Sequence, residues 1–239
     1  MICTRITFLT TIFPPPAAAP LHTSLKIITS ETAGQNKFRN FTGSKSDMTP
    51  KNILLITNRK DFRQWLSKNH MAEKECWIAV KRGKTPPSDA LWYIHAVEEA
   101  LCFGWIDSTV KNVNGTVLQR FSPRRKNGCW TELNKERCRR LETLGKMTDS
   151  GRALCPDLDT EFTIDTDITN IFHAYPTAWE NFRAFHPLYQ RVRIDNIQRV
   201  KANPRLFSNR LSKLIEASAN GRMIGDWNDY GRLLNYQHD

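Results

Sequence analysis

The pattern of apolar and polar positions changes its period several times between residues 58 and 123. In NRKDFRQWLSKNH, Phe62, Trp65 and Leu66 are spaced by three and four residues, which predicts a core-facing helix. In KECWIAVKRGK, apolar residues recur at every second position, which predicts a strand with one face formed by Cys76, Ile78 and Val80. The folded part of the chain therefore opens with a helix that is followed by a strand.

The next segment predicts a helix from about Asp89 to Phe103. Its apolar side chains recur at the spacing of one buried helix face, at Ala90, Ile94, Val97 and Leu101. Ser88 or Asp89 in the preceding turn TPPSD is expected to cap the first turn of this helix. Gly104 follows directly after it, where a left-handed residue is expected to end the helix.

A hairpin and several helices are predicted beyond this glycine. WIDSTV and TVLQRFSPR flank the turn NVNG at residues 112–115, so they predict two antiparallel strands. Helices are predicted around residues 130–147, across 176–203 and over 204–218, and a linker at 162–169 separates the two halves of the chain. The predicted fold class is α+β, with a small antiparallel sheet and packed helices, followed by an all-helical C-terminal region.

Three regions follow from this pattern: an unstructured extension at residues 1–47, an α+β domain at 48–158 and a helical region at 159–239. The extension has no periodicity, and its short apolar run is interrupted by threonines and followed by three prolines. We interpret Met48 as the natural start, with a weak secretory signal as the alternative. No segment is apolar enough for long enough to span a membrane. The expected location is the cytoplasm, or the periplasm if residues 1–47 are a real signal.

The charge balance favours an anionic partner. Of 239 residues, 35 are Lys or Arg and 24 are Asp or Glu, which gives a net charge of +11 and favours nucleic acid, anionic lipid or phosphorylated metabolites. Residues 120–140 and 186–222 each hold eight basic and two acidic residues. Nucleic-acid binding would require these charges to converge on one surface, and no known recognition motif accompanies them. The six cysteines lack C-x-x-C spacing, which predicts reduced thiols of a cytoplasmic protein.

A binding cleft is predicted around the strands that follow Gly104. Alternation places Trp105 and Asp107 on one side of their strand, and an Asp107–Arg120 pair would be either a structural ion pair or the floor of a cleft. Guanidinium groups bind phosphate or carboxylate in a forked geometry, and tryptophan offers a stacking face. The candidate cleft residues are Glu98, Trp105, Asp107, Gln119, Arg120, Arg124 and Trp130.

Metal and catalytic chemistry are weaker interpretations of the same segment. His95, Glu98 and Cys102 share one flank of the predicted helix and could ligate a metal, but a small buried cysteine is the commoner arrangement. The negative end of the helix dipole disfavours a thiolate at Cys102. We therefore expect no metal, no cofactor and no catalytic residue. An enzyme that acts on an anionic small molecule, with Asp107 or Glu98 as acid or base, stays as an alternative.

Several motifs in one order resemble the bacterial YdeI/OmpD-associated family, also called the bacteriocin-protection family. They are AVEEALCFGWIDS, LQRFSPRR, CWTELNKERCRRL and GKMTDSGRA, and the stretches AWENFRAFHPLYQRVRIDNIQ and NGRMIGDWNDYGRLLNY fit as well. The resemblance covers about residues 60–236 and implies an α+β fold grouped with YjbR/CyaY-like proteins, with no established reaction. The chain departs from the family pattern at Ser108, where glycine is usual, at Glu132, where a basic residue is common, and at His95, where an acid is usual.

The resemblance predicts a non-enzymatic binding protein that contributes to tolerance of bacteriocins or cationic antimicrobial peptides, with no established molecular activity. Because a net charge of +11 repels a cationic peptide at long range, protection would be indirect, through an anionic metabolite, an envelope component or a regulatory partner. A nucleic-acid-binding protein that uses residues 120–140 and 186–222 is the first alternative, and the enzyme described above is the second. The sequence specifies neither the partner nor the oligomeric state.

Overall fold

The computed structural model describes residues 50–236, all within one unit that spans Asp47–Asp239. The predicted extension at residues 1–47 and the choice of Met48 as start lie outside the described residues. Five strands form the sheet, namely β1 (Ile53–Leu54), β2 (Cys76–Lys81), β3 (Leu91–Trp92), β4 (Trp105–Val113) and β5 (Thr116–Pro123). The α+β class is therefore confirmed.

The sheet is mixed rather than antiparallel, which corrects the sequence expectation. Its strands lie in the order β1-β2-β5-β4, and both β1 and β3 pair with β2 in parallel. The parallel pairing of β1 with β2 follows from the helix that connects them, since a parallel crossover needs more chain than a tight turn. The predicted hairpin of β4 and β5 is confirmed, with Asn114 at φ 49° and Gly115 at φ 83° as the two-residue turn.

The helices of the first half surround one apolar core. They are α1 (Arg59–Asn69), α2 (Tyr93–Cys102), α3 (Glu132–Thr143) and the single turn α4 (Asp149–Arg152). α2 lies in the centre of this arrangement and contacts α1, α3, α4 and the sheet. Phe62 and Leu66 are fully buried in this core, as the periodicity of α1 predicts, and they share it with Phe121 of β5.

The start of α2 differs from the sequence expectation. The helix begins at Tyr93 rather than Asp89, and its N-cap Trp92 makes no side-chain capping bond. Residues 91–92 extend as β3 instead, and the Asp89 carboxylate binds Lys81 Nζ at 2.6 Å. The end of the helix agrees with the prediction, because Gly104 has φ +72° and directs the chain into β4.

The second half is helical. It contains α5 (Thr166–His173), α6 (Pro176–Ala184), α7 (Pro187–Gln198), α8 (Pro204–Ala219) and α9 (Arg232–Asn235). The single helix predicted over residues 176–203 is two helices, because Pro187 occupies the first turn of α7 and His186 caps it. The predicted linker at 162–169 includes the start of α5. A second apolar core forms among these helices around Phe172, Phe182 and Tyr189.

Candidate functional site

The stretch from Cys102 to Gly104 is held by the motif GKMTDSGRA. The Thr148 hydroxyl donates to the Cys102 carbonyl at 2.6 Å, and the Thr148 backbone N–H donates to the same oxygen at 3.2 Å. Gly151 packs so closely here that an added Cβ would lie 2.3 Å from this oxygen. Two motifs that are far apart in sequence therefore close the C-terminus of α2, where helix carbonyls lack partners within the helix.

Glu98 lies at the centre of a buried ion cluster. Its carboxylate is fully buried and binds Arg140 Nη1 at 2.8 Å, Arg59 Nη2 at 3.0 Å and Arg232 Nη2 at 2.8 Å. These arginines belong to α3, α1 and α9, so one side chain of α2 joins helices from both halves of the chain. The structure places this predicted cleft residue in the interior, where it is engaged by the fold.

Trp105 is also interior. Its side chain is 1% exposed, its indole N–H donates to the His70 carbonyl at 3.0 Å, and its ring lies edge-on against Trp65. Such a tryptophan satisfies its one donor and fills the core. Among the described contacts its role is therefore packing.

Arg124 and Trp130 form a stacked pair. The Arg124 guanidinium lies 3.7 Å from the Trp130 ring centroid, and its Nη1 donates to the Cys129 carbonyl at 3.1 Å. Only 7% of Arg124 is exposed, and its Nε and Nη2 are buried without a hydrogen-bond partner. Burial lowers the pKa of Arg124. These two candidate residues are thus in contact with each other, and Arg124 is a buried cation with unused donors.

Asp107 and Arg120 lie on opposite faces of the sheet. Asp107 is paired in register with Phe121, so the neighbouring Arg120 points the other way. Arg120 Nε binds the Glu75 carboxylate at 2.7 Å. The ion pair between Asp107 and Arg120 that the sequence suggested is therefore not formed among the described residues.

Asp107 and Gln119 belong instead to a network that contains two residues the sequence analysis missed. The Tyr93 hydroxyl donates to Asp107 Oδ2 at 2.6 Å. Arg82 donates from Nη2 to Gln119 Oε1 at 3.0 Å and stacks over the Tyr93 ring at 3.8 Å. Arg82 lies in the loop after β2, and Tyr93 begins α2, so no spacing along the chain relates them. The consecutive aromatics Trp92 and Tyr93 ahead of an amphipathic helix were the one available signal.

A cavity of about 200 Å³ lies against this network, with Arg82 and Tyr93 in its wall. Its other walls include Trp92 and Tyr230, whose rings are stacked, and an ion pair that links α3 to the C-terminal segment. In that pair Arg137 holds both oxygens of Asp229, at 2.7 and 2.8 Å. We call this space the Tyr93 cavity; Arg82 is its wall cation without a carboxylate partner among the described residues.

The Tyr93 phenol and the Cys102 thiol are both protonated near neutral pH. Burial, reinforced by Asp107, raises the pKa of Tyr93 to about 12, so the phenol stays a hydrogen-bond donor near neutral pH. Burial and the nearby Glu99 raise the pKa of Cys102 to about 12, which opposes a thiolate nucleophile. His95 packs edge-on against Trp92, and the described residues contain no group of three metal-ligating side chains.

The basic segment at 120–140 is largely neutralised within the fold. Besides Arg120, four of its cations bind carboxylates, in the pairs Lys135–Glu132, Arg137–Asp229, Arg139–Glu136 and Arg140–Glu98. Its exposed residues Arg125 and Lys126 follow the end of β5. Within the described part of the chain, five of the eight cations of this segment are therefore paired with carboxylates.

Comparisons with known proteins divide the chain in two. Residues 161–221 match the family model described as Bacteriocin-protection, YdeI or OmpD-Associated. Residues 54–154 match a family described only as a domain of unknown function (DUF8412). No curated protein and no solved structure matches. The motifs around α2 thus lie in the domain without an assigned function, and the named family covers α5 to α8. Between residues 50 and 236, no helix is both long and apolar enough to cross a membrane.

Proposed function

We propose that this chain, which carries a YdeI/OmpD-associated (bacteriocin-protection) domain at residues 161–221, is a non-enzymatic binding protein. It binds a small anionic ligand in the Tyr93 cavity, and through that ligand it contributes to tolerance of bacteriocins or cationic antimicrobial peptides. Protection is indirect, since a chain of net charge +11 repels a cationic peptide. The free state of the five described cysteines is consistent with action in the cytoplasm.

One observation carries the proposal: the Tyr93 cavity joins aromatic walls to a cation that has no carboxylate partner among the described residues. Arg82 keeps one donor on Gln119 and stacks on Tyr93, so its orientation is fixed before a ligand arrives. Preorganised sites lose less conformational entropy on binding. The lining also holds two carboxylates: Asp229 neutralises Arg137, and Asp226 interacts with the Tyr230 hydroxyl. Neither of them forms an ion pair with Arg82, which is therefore the group that would bind an anion.

The size and chemistry of the cavity define the ligand. About 200 Å³ is smaller than the roughly 300–1,000 Å³ of drug-sized sites, so the ligand is a small molecule. A flat apolar body fits beside Trp92 and Tyr230, and a carboxylate or phosphate fits on the Arg82 guanidinium. Two of the predicted cleft residues support the wall of this site: Asp107 holds Tyr93 in place, and Gln119 holds Arg82.

The proposal is tested with Arg82→Gln and the matched control Lys84→Gln, which alters a second exposed cation of the same loop. Benzoate should raise the melting temperature of the wild type and of Lys84→Gln, but not that of Arg82→Gln. The uncharged isostere benzamide should have little effect on any of the three.

The phenotype is tested in a strain that lacks the chromosomal copy. Wild type and Lys84→Gln should restore survival in a cationic peptide, and Arg82→Gln should not. Equal restoration by all three would show that this cavity does not produce tolerance. Normal peptide sensitivity of the deletion strain would remove the tolerance part of the proposal altogether.

A further inference from the structure

The second half of the chain contains a cavity of its own, in the region that matches the named family. It has a volume of about 310 Å³ and lies between α7 and α8, closed on one side by the segment that follows α8. The residues that line it are Arg193, Asn196, Ile197, Arg210, Lys213, Leu214 and Ile224. This size falls within the roughly 300–1,000 Å³ of small-molecule sites.

The charges around this cavity are of one sign. Arg193, Arg210 and Lys213 contribute three cations, and none of the described residues that line the cavity is a carboxylate. Other cations of the basic segment are neutralised: Arg199 pairs with Asp195, and Lys201 binds the carboxylates of Asp165 and Asp167 at the start of α5. The fold therefore neutralises part of this segment and gathers three of its remaining cations around one cavity.

Two of these cations are oriented by backbone carbonyls. Arg193 donates to the Ile224 carbonyl, and Arg210 Nη1 donates to the Asn196 carbonyl at 2.5 Å. Arg193 Nε is buried without a hydrogen-bond partner. Burial lowers the pKa of Arg193, with only partial compensation from Tyr189 and Asp226. A carbonyl fixes a guanidinium in position without cancelling its charge, so these groups keep an attraction for an anion.

The floor of the cavity is apolar. Ile197 and Leu214 are 2% and 1% exposed, and Ile224 is half-buried at the edge. Ile224 is therefore the apolar side chain of this lining that water still reaches, and an attached hydrocarbon group would cover it, whereas a ligand that only carried charge would not. The combination of a cationic rim and an apolar floor is complementary to an anionic head on a short apolar body.

From this geometry we infer that the α7–α8 cavity is a second binding site, distinct from the Tyr93 cavity, for an amphiphilic anion such as an alkyl phosphate. The phosphate binds Arg193, Arg210 and Lys213, and the alkyl group lies against Ile224, above the buried Ile197 and Leu214. The same chemistry is offered by a phosphorylated metabolite with an apolar portion and by the headgroup region of an anionic lipid. The inference does not depend on the function proposed above.

The test uses isothermal titration calorimetry of the full chain with hexyl phosphate, inorganic phosphate and hexanol. Hexyl phosphate should bind at least roughly tenfold more tightly than inorganic phosphate, since burial of two methylene groups alone is worth about that factor. Arg210→Met and Lys213→Met should each weaken hexyl phosphate roughly ten- to hundredfold, because each removes a charged hydrogen-bond donor. Both residues are exposed, so the variants are expected to fold.

The matched control is Arg205→Met, which removes an exposed cation from the first turn of α8, outside the cavity. It should bind hexyl phosphate as the wild type does. If Arg205→Met and Arg210→Met lost affinity for hexyl phosphate equally, the loss would reflect net charge alone, and the site would be overturned. Equal affinity for hexyl and inorganic phosphate would overturn the role of the apolar floor, and no binding of either would overturn the inference.

Sedimentation with phosphatidylglycerol vesicles, with phosphatidylcholine vesicles as the neutral control, identifies the source of the anion. Binding to the anionic vesicles that is lost in Arg210→Met but kept in Arg205→Met would support the cavity and assign it to a lipid headgroup. Binding of soluble hexyl phosphate without vesicle binding would support it as a site for a free metabolite.

Discussion

Replacement of Glu98 by glutamine should be among the most destabilising single changes in this chain. The substitution keeps the side-chain shape but removes the one negative charge shared by Arg59, Arg140 and Arg232, at 3.0, 2.8 and 2.8 Å. At an effective dielectric constant of about 20, a pair of charges about 4 Å apart attracts by about 4 kcal/mol. Repulsion among the arginines and the desolvation of the carboxylate offset much of that sum.

Measured disruptions of buried ion pairs cost about 3–5 kcal/mol, because a buried charge loses its compensation. We expect a loss in that range for Glu98→Gln, since Glu98 is fully buried and Arg140 is 1% exposed. That is a large part of the roughly 5–15 kcal/mol that stabilises an ordinary domain. It corresponds to a fall in melting temperature on the order of 10 °C.

The assay is equilibrium unfolding in urea, with the free energy extrapolated linearly to water. Glu142→Gln is the matched control, because Glu142 also binds an arginine at 2.8 Å but both partners are about half exposed. Water and salt screen such a surface pair, so its midpoint should stay close to that of the wild type. Equal midpoints for the two variants would refute the reasoning, and Glu98 would then belong among residues retained for binding rather than for stability.

Two further changes test other parts of the fold by the same unfolding assay. Gly151→Ala should cost about 3 kcal/mol, at the upper end of overpacking costs, because its Cβ would meet the Cys102 carbonyl oxygen at 2.3 Å and backbone must move. Gly145→Ala is the control: Gly145 has φ +63° but lies in open space, so this change should cost only about 1–2 kcal/mol of backbone strain. A larger loss of stability in Gly145→Ala than in Gly151→Ala would contradict the packing of α4 on α2. Burial raises the pKa of Glu75, but hydrogen bonds from Trp77 and Arg120 outweigh burial and lower this pKa below its ordinary value of 4.5. The ionised Glu75 carboxylate therefore stabilises the fold above pH 4.5, and this stabilisation is lost as the pH falls through the lowered pKa. The stability gap between wild type and Glu75→Gln should therefore shrink below pH 4.5, and a gap that does not vary with pH would refute this assignment.

The parts of the fold that the sequence predicted well are those fixed by local periodicity. The helix α1, the strand β2 and the β4–β5 hairpin each carry several apolar residues at the spacing of their element. The positive φ of Gly104 was predictable because a left-handed residue at a helix end favours glycine. The strands β1 and β3 have two residues each, which is too short for any periodicity, and so the parallel pairings of the sheet were missed.

Two predicted helix boundaries were wrong, each for a reason that the structure shows. The break between α6 and α7 coincides with Pro187, and the residue before a proline avoids the helical conformation. The late start of α2 has a different cause: Leu91 and Trp92 pair in parallel with β2, so the chain after Asp89 is extended and the helix cannot begin before Tyr93.

The candidate site was harder to predict, since its charged residues find partners far along the chain. Arg232 is 134 residues from Glu98, and Asp229 is 92 residues from Arg137. Arg124 and Trp130 are in contact because only a short loop separates them along the chain. Sequence analysis could not place Asp107 and Arg120 on opposite faces without the register of β4 against β5.

The pairing of cations with carboxylates inside the fold explains why net charge was a poor guide to the binding surface. A chain with 35 basic and 24 acidic residues has more cations than carboxylates wherever it folds, so the excess alone selects no partner. What selects a partner is the position of the cations that the fold does not neutralise. Most cations of residues 120–140 bind carboxylates within the fold, whereas Arg193, Arg210 and Lys213 line one cavity that has no carboxylate in its described lining. An extended polyanion needs a row of cations, whereas a small amphiphilic anion needs only a cluster, so this cluster fits the small ligand that we infer for the α7–α8 cavity.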